Sequence, residues 1–565
     1  MRNEKLEEQL NLALSMPAAE RAKNSELDAG FDAETNTWEL VVRFSSGNVE
    51  FQNLVSQYEG NADVLFGQYA IVVLPEEQID AFSREPEVIY VEKAKNMRLE
   101  VREGIESSCP LRPGNQTGLN GNGVLIGIVD SGIDMLHPDF IRPDGKSAVI
   151  GIWDQTDQSG PPPEGYRMGR YYSEEEIAQA IEENRSLISD PSGHGTHVAA
   201  IAAGNKGVAN RAQILFVKLG RGRQGELSRT TSLMRAVDFL MRTAQIRKQP
   251  IAINLSYGTN YGDHFGGSLL ESYLDTAAAL WQNVICVGTG NEGDTGRHHQ
   301  GKLVLSTTDV IEFSVAPYET SLNLQLWKEY KDEVEIIIRS PSGEERTIEN
   351  QIGFGQRSFG STRLSFYYGT PTPYNRRQEL FFSFLPVSGE IESGIWTIFL
   401  FPKKISNGSY AMWLPVSETT NRNTRFLMPT LDLTLTIPST AFRVISVGAY
   451  DGRNLYFAPF SGRGSYRQCI LKPDLAAPGV DILAATPGGE QTVKSGTSMA
   501  VPFVTGASAL LMEWGIIREN DVFLYGEKIK AYLQKGAKHL PFISDYPNNE
   551  IGWGGLCIRD SFPEE

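Results

Sequence analysis

Asp130, His194, Asn291 and Ser498 each sit in a short block marked by glycine: VDSGID, GHGTHVA, GTGNEG and SGTSMAVP. A carboxylate, an imidazole, an amide and a hydroxyl are the parts of a nucleophilic acyl-transfer centre. Each also has a plainer reading. The pair His194 and His197 suits a core or capping histidine. A zinc site would lack the glutamate of HExxH and a third ligand nearby in sequence. A serine opening a helix is ordinarily an N-cap, and an asparagine in a Gly-rich loop is ordinarily a turn former. Together, in this order, the four argue for a serine hydrolase, with His197 left to packing.

The elements that must position these groups are legible as patterns. NGVLIGIVD, AQILFVKLG, PIAINLSYG and NVICVGTGN are near-continuous apolar strands, as a parallel sheet covered on both faces requires. The helical stretches SLMRAVDFLMRTAQ and SLLESYLDTAAALW alternate with them, so a doubly wound α/β domain is expected. Functional residues in such a sheet gather at the carboxyl ends of its strands, where Asp130 and Asn291 fall. Ser498 opens the helix of FVTGASALLMEWG; the small neighbours Gly496 and Ala500 leave room for a substrate backbone.

Two further regions have other rhythms. TWELVVRF, VEFQNLVSQY, YAIVVLP, EEQIDAFSREP and VIYVEKA alternate strand and helix over the first hundred residues, an α+β unit of its own. From about Gly301 to Thr436 the helical period disappears, and short strands are parted by Gly, Pro, Ser and Asn. That spacing predicts an inserted all-β, jelly-roll-like sandwich. The segments are therefore 1–100, 101–300, 301–436 and 437–565.

Composition narrows the function. The 565 residues carry a net charge of −17, which repels polyanions and gives no support to nucleic-acid binding. No run of 18 or more apolar residues is present, so no membrane span is expected. The N-terminus lacks the apolar core of a secretory signal, so synthesis in the cytoplasm is expected, with retention in the cell or exit by another route such as lysis. Cys109, Cys286, Cys469 and Cys557 form no CxxC pair and read as free thiols. No metal and no cofactor are expected.

The blocks VDSGID, GHGTHVA, NLSYG, GTGNEG, KPDLAAPGV and SGTSMAVP resemble those of the subtilisin-like serine proteases, the subtilases, over about 340 residues. The resemblance implies a subtilisin-like fold, with Asp130, His194 and Ser498 as catalytic triad. Asn291 and the Ser498 N–H would form the oxyanion hole. It also implies that a substrate strand lies between Ser256-Tyr257-Gly258 and the segment around Gly222. Tyr257 stands where the family usually has a smaller aliphatic residue. The stretch from His194 to Gly207 is too short for the calcium loop of many secreted members, so no calcium is expected there.

Residues 1 to about 100 resemble a subtilase propeptide, whose end would thread the cleft and be cut by Ser498. The bond is expected within Arg98, Leu99, Glu100 and Val101. Asn291 and Ser498 lie 207 residues apart, and the excess is the sandwich. The combination with YYSEEEIAQAIEENR and no signal resembles the clostridial Csp proteases of spore germination. That likeness implies a monomeric, spore-associated, self-processing endopeptidase that keeps its cleaved propeptide and cuts the propeptide of a cortex-lytic zymogen. The alternatives are an idle subtilase-fold scaffold and a broad-specificity intracellular protease.

Overall fold

The computed structural model describes residues 3–99, 102–103, 118–220, 228–465, 471–541 and 543–563. They pack as two compact units. One comprises Met97–Gly258, Leu270–Gly293 and Thr434–Glu565; the other comprises Met1–Asn96, Thr259–Leu269 and Asp294–Leu433.

The first unit is built on an eight-stranded sheet. Its order is Arg170–Tyr172, Val149–Asp154, Gln213–Lys218, Leu125–Asp130, Ile251–Leu255, Asn283–Gly288, Ile445–Tyr450, Leu475–Pro478. The edge strand Arg170–Tyr172 is antiparallel and the other pairs are parallel. Leu125–Asp130 and Asn283–Gly288 are buried at every position, which is why they read as unbroken apolar runs. On one face Ile126 and Ile128 pack with Val198 of helix His194–Ala203 and Val504 of helix Thr497–Met512. Helix Thr230–Arg247 packs on the strands Leu125–Asp130 and Ile251–Leu255.

The stretch Thr497–Ile517 is long and apolar enough to cross a membrane, with a mean hydropathy of 1.5, and 78% of that window is buried inside the protein. The sequence reading found no such stretch because Ser, Thr and Gly interrupt the apolar run. Its buried place against the sheet makes it the central helix of a core.

The second unit joins the N-terminal region to the insert. Thr37–Phe44 is the middle of a five-stranded sheet, paired antiparallel with Tyr69–Pro75 and Val88–Lys93. Helix Asn48–Gln57 buries Phe51 and Val55 in the same core. Helices Glu8–Ser15 and Ala18–Arg21 and strands Phe31–Asp32 and Asn61–Leu65 lie beyond the sequence reading. The insert is two antiparallel sheets, of six and five strands, with its strands running from His298 to Phe426. Leu324, Phe366 and Phe382 of the larger sheet meet Ile336, Trp396 and Ile398 of the smaller in one core.

Helix Glu8–Ser15 has two apolar faces. Leu10 and Ala13 enter the core of the N-terminal sheet, whereas Leu12 joins Met16 and Leu27 against Tyr367, Phe381 and Leu385 of the sandwich. The Asn24 amide donates to Ser383 Oγ at 2.7 Å. A helix shared between two cores ties residues 1–96 to the insert.

Candidate active site

Asp130 ends its strand and is fully buried. Its Oδ1 accepts the His194 Nδ1–H at 2.6 Å and the Ser131 N–H at 2.7 Å. A carboxylate accepting at Nδ1 fixes the tautomer, so Nε2 carries the lone pair. His194 is the first residue of its helix, behind Gly193 in the left-handed region at φ 63°. Close approach is what the next residue permits: a Cβ on Gly195 would lie 2.2 Å from the Gly132 carbonyl oxygen and 3.0 Å from Asp130 Cβ.

Ser498 is the second residue of helix Thr497–Met512. Its Oγ donates to the Ser256 carbonyl at 3.5 Å, a long bond. Asn291 follows strand Asn283–Gly288, and its Oδ1 accepts from Thr497 N at 3.1 Å and Thr497 Oγ1 at 3.3 Å. With the oxygen engaged at the start of the Ser498 helix, the amide presents Nδ2, its donor end. Asp130, Ser256 and Asn291 all come from the carboxyl ends of parallel strands, where a doubly wound sheet opens its crevice.

His197 takes no part in this arrangement. Its Nε2–H donates to the carbonyls of Ile482 at 3.0 Å and Thr492 at 3.2 Å. Burial, reinforced by His194, lowers its pKa to about 3, so the ring is neutral near pH 7. Cys286 is a free, buried thiol whose pKa burial raises to about 12, which leaves it without thiolate chemistry. Cys557 is also free. Among the described residues no group of three His, Cys, Asp or Glu is placed to hold a metal ion.

Tyr257–Gly258 pairs antiparallel with the segment Asn96–Leu99, Tyr257 facing Leu99 and Gly258 facing Arg98. Ser228–Arg229 flanks that segment on its other side. Gly222, where sequence reasoning put this edge, lies outside the described residues, as do Glu100 and Val101. Past them the chain forms a second ladder: Arg102 faces Ser495 and Glu103 faces Lys494. Sequence reasoning missed this second ladder and the edge Ser228–Arg229. A two-residue polar strand has no period of its own and is defined only by its partner.

Comparison with known proteins places these features. Residues 4–95 match the Csp protease B prodomain, and residues 121–310 and 407–554 match the subtilase family. The structure of the Clostridium perfringens CspB protease is similar at a TM-score of 0.73, with 36% identity, covering 80% of this chain and 95% of that one. The PI-type proteinase of Lactococcus lactis subsp. cremoris is 23% identical over 504 residues, which are 78% of this chain and 25% of that protein. The subtilisin-like protease SBT3.16 of Arabidopsis thaliana is 25% identical over 504 residues, 78% of this chain and 61% of that protein. The chain therefore spans about a quarter of the lactococcal proteinase's length. With more than half of its residues matched to the family, the chain belongs to the subtilases, the subtilisin-like serine proteases, and carries a Csp-type prodomain.

Proposed function

We propose that the chain is a self-processing serine endopeptidase in which Ser498 is the nucleophile, His194 the general base and Asp130 the group that orients it. The observation that carries this is the buried 2.6 Å bond from His194 Nδ1 to Asp130, which fixes Nε2 as the basic nitrogen. His194 Nε2 takes the Oγ proton as Oγ attacks the scissile carbonyl, then returns it to the leaving amine. The Ser498 N–H and the Asn291 amide donate to the oxyanion, at a helix start that favours negative charge. The first substrate is the chain itself. The pairing of Asn96–Leu99 on one side and of Arg102–Glu103 on the other supports a cut in the short stretch that joins them, between Leu99 and Arg102. The freed propeptide stays bound through Leu12, Met16, Leu27 and Asn24.

The external substrate we propose is the zymogen of a spore cortex-lytic enzyme, cut once to remove its propeptide during germination. Support comes from the Csp-type prodomain and the likeness to the clostridial CspB protease. The test is to mix the purified chain with such a zymogen and read intact masses. One new cleavage site, absent with Ser498→Ala, is expected. An untouched zymogen would overturn the germination role, and scattered cuts in unrelated proteins would favour a broad-specificity protease.

A further inference from the structure

We propose that Asp190 is a positioning residue that bolts the Asp130 turn to the first turn of the His194 helix. Its carboxylate is buried, at 7% exposure. Oδ1 accepts from Ser131 Oγ at 2.7 Å and from Ser192 Oγ at 3.2 Å. Oδ2 accepts from Thr196 N at 2.9 Å and Thr196 Oγ1 at 2.8 Å.

These bonds form one system with the helix start. The N-cap, Gly193, has no side chain to offer, so the first amides must find acceptors elsewhere. His194 N donates to Ser192 Oγ at 3.1 Å and Gly195 N to Ser131 Oγ at 3.3 Å, while Thr196 N goes to Asp190 itself. Every acceptor for the first three amides is therefore Asp190 or a hydroxyl that bonds to it. A carboxylate there also complements the positive end of the helix.

The same network holds the other half of the pair. Ser131 directly follows Asp130, and Thr196 Oγ1 accepts the Asp134 N–H at 2.9 Å. Gly132 lies against the chain next to Asp190: a Cβ there would sit 2.1 Å from the Ser189 carbonyl oxygen and 2.9 Å from Asp190 Cα. The strand end carrying Asp130 and the helix start carrying His194 are thus set at a fixed offset by one carboxylate. Asp190 touches no reacting atom and acts through the separation of Asp130 and His194.

This rests on Ser498 being the nucleophile, and the test uses the full chain's own cleavage. Cell-free synthesis of the full chain gives a first-order self-cleavage rate by intact mass. Asp190→Ala is expected to slow it about 100-fold, the scale of a misplacement of about 1 Å. Asp190→Asn keeps an acceptor for Thr196 N and is expected to recover about tenfold. The double variant Ser131→Ala/Asp190→Ala should lose less than the product of the two single losses, because the two share the Ser131–Asp190 bond, while Ser131 alone also serves the Gly195 N–H. In the Ser498→Ala background, the downfield proton resonance of His194 Nδ1–H should shift or vanish on Asp190→Ala, and stay on Asp190→Asn. A wild-type rate for Asp190→Ala, or fully multiplicative losses in the double variant, overturns the role of Asp190 alone. If Asp190→Ala does not fold, Ser131→Ala must itself slow cleavage, or the role is overturned. A wild-type chain that never cuts overturns the nucleophile assignment and this inference together.

Discussion

Replacing Glu8 by Gln should make the propeptide–sandwich unit more stable at alkaline pH while leaving it unchanged in acid. Glu8 lines a cavity of about 30 Å³ together with Glu7, Glu92, Asp263 and Glu379. The cation there is Lys95, whose Nζ lies 2.8 Å from Glu7 Oε1 and 3.7 Å from Glu92 Oε2. Glu8 Oε1 accepts the Thr370 N–H at 3.2 Å, a bond that a glutamine oxygen can keep. Burial, with Glu7 and Glu92 adding to it, raises the Glu8 pKa from 4.5 to about 7. Burial likewise raises Glu92 to about 7 and Glu379 well above its ordinary value.

Because the folded form holds the Glu8 proton more tightly than the unfolded form, its contribution is complete below pH 4.5 and is lost as pH rises to about 7. At about 1.4 kcal/mol per pH unit, the loss is about 3 kcal/mol. For a unit of about 250 residues that is roughly 6–12 °C in melting temperature. Calorimetry of the uncut Ser498→Ala chain, with and without Glu8→Gln, reads this between about pH 5 and pH 8. The variant should melt higher than its parent at pH 8 by that amount and converge with it in acid. Parallel curves across the range, or a variant less stable at pH 8, would mean that Glu8 does not hold its proton in the folded chain.

Asn291→Ala should lower kcat about 100-fold to 1000-fold with little change in KM, as steady-state kinetics on a cleaved peptide would show, because in the proposed mechanism the amide meets charge only in the transition state. His197→Gln should flatten the acid side of the catalytic unit's stability. The neutral His197 contributes fully above pH 6.5 and loses that contribution as pH falls toward about 3, so the variant should lose less between pH 6.5 and pH 5 in the same scans. Gly195→Ala would drive a Cβ into the Gly132 carbonyl, and should lower the self-cleavage rate at least tenfold by mass spectrometry while the chain still folds.

Much of the catalytic unit was legible because its physics leaves marks in sequence. Strands such as Leu125–Asp130 are buried on both faces and read as unbroken apolar runs. Asp130, His194, Asn291 and Ser498 stand out because each sits in a glycine-marked block, and Gly195 shows why: a Cβ there would meet the Gly132 carbonyl and Asp130. What stayed hidden was set by partners distant in sequence. Glu8–Ser15 shows no clean helical stripe because it serves two cores, and its buried Glu8 reads as a surface charge. Ser228–Arg229 is a strand only because Asn96–Leu99 lies beside it. Asp190 looks like one more loop carboxylate until its four acceptor bonds are seen.

The most direct test of the central claim is the intact mass of the wild-type chain beside Ser498→Ala, both under denaturing conditions, with sequencing of any new N-terminus. The wild type should give two fragments parted between Leu99 and Arg102, and the variant should stay whole. A wild-type chain that remains uncut, or a Ser498→Ala chain cut at the same bond, would contradict the claim.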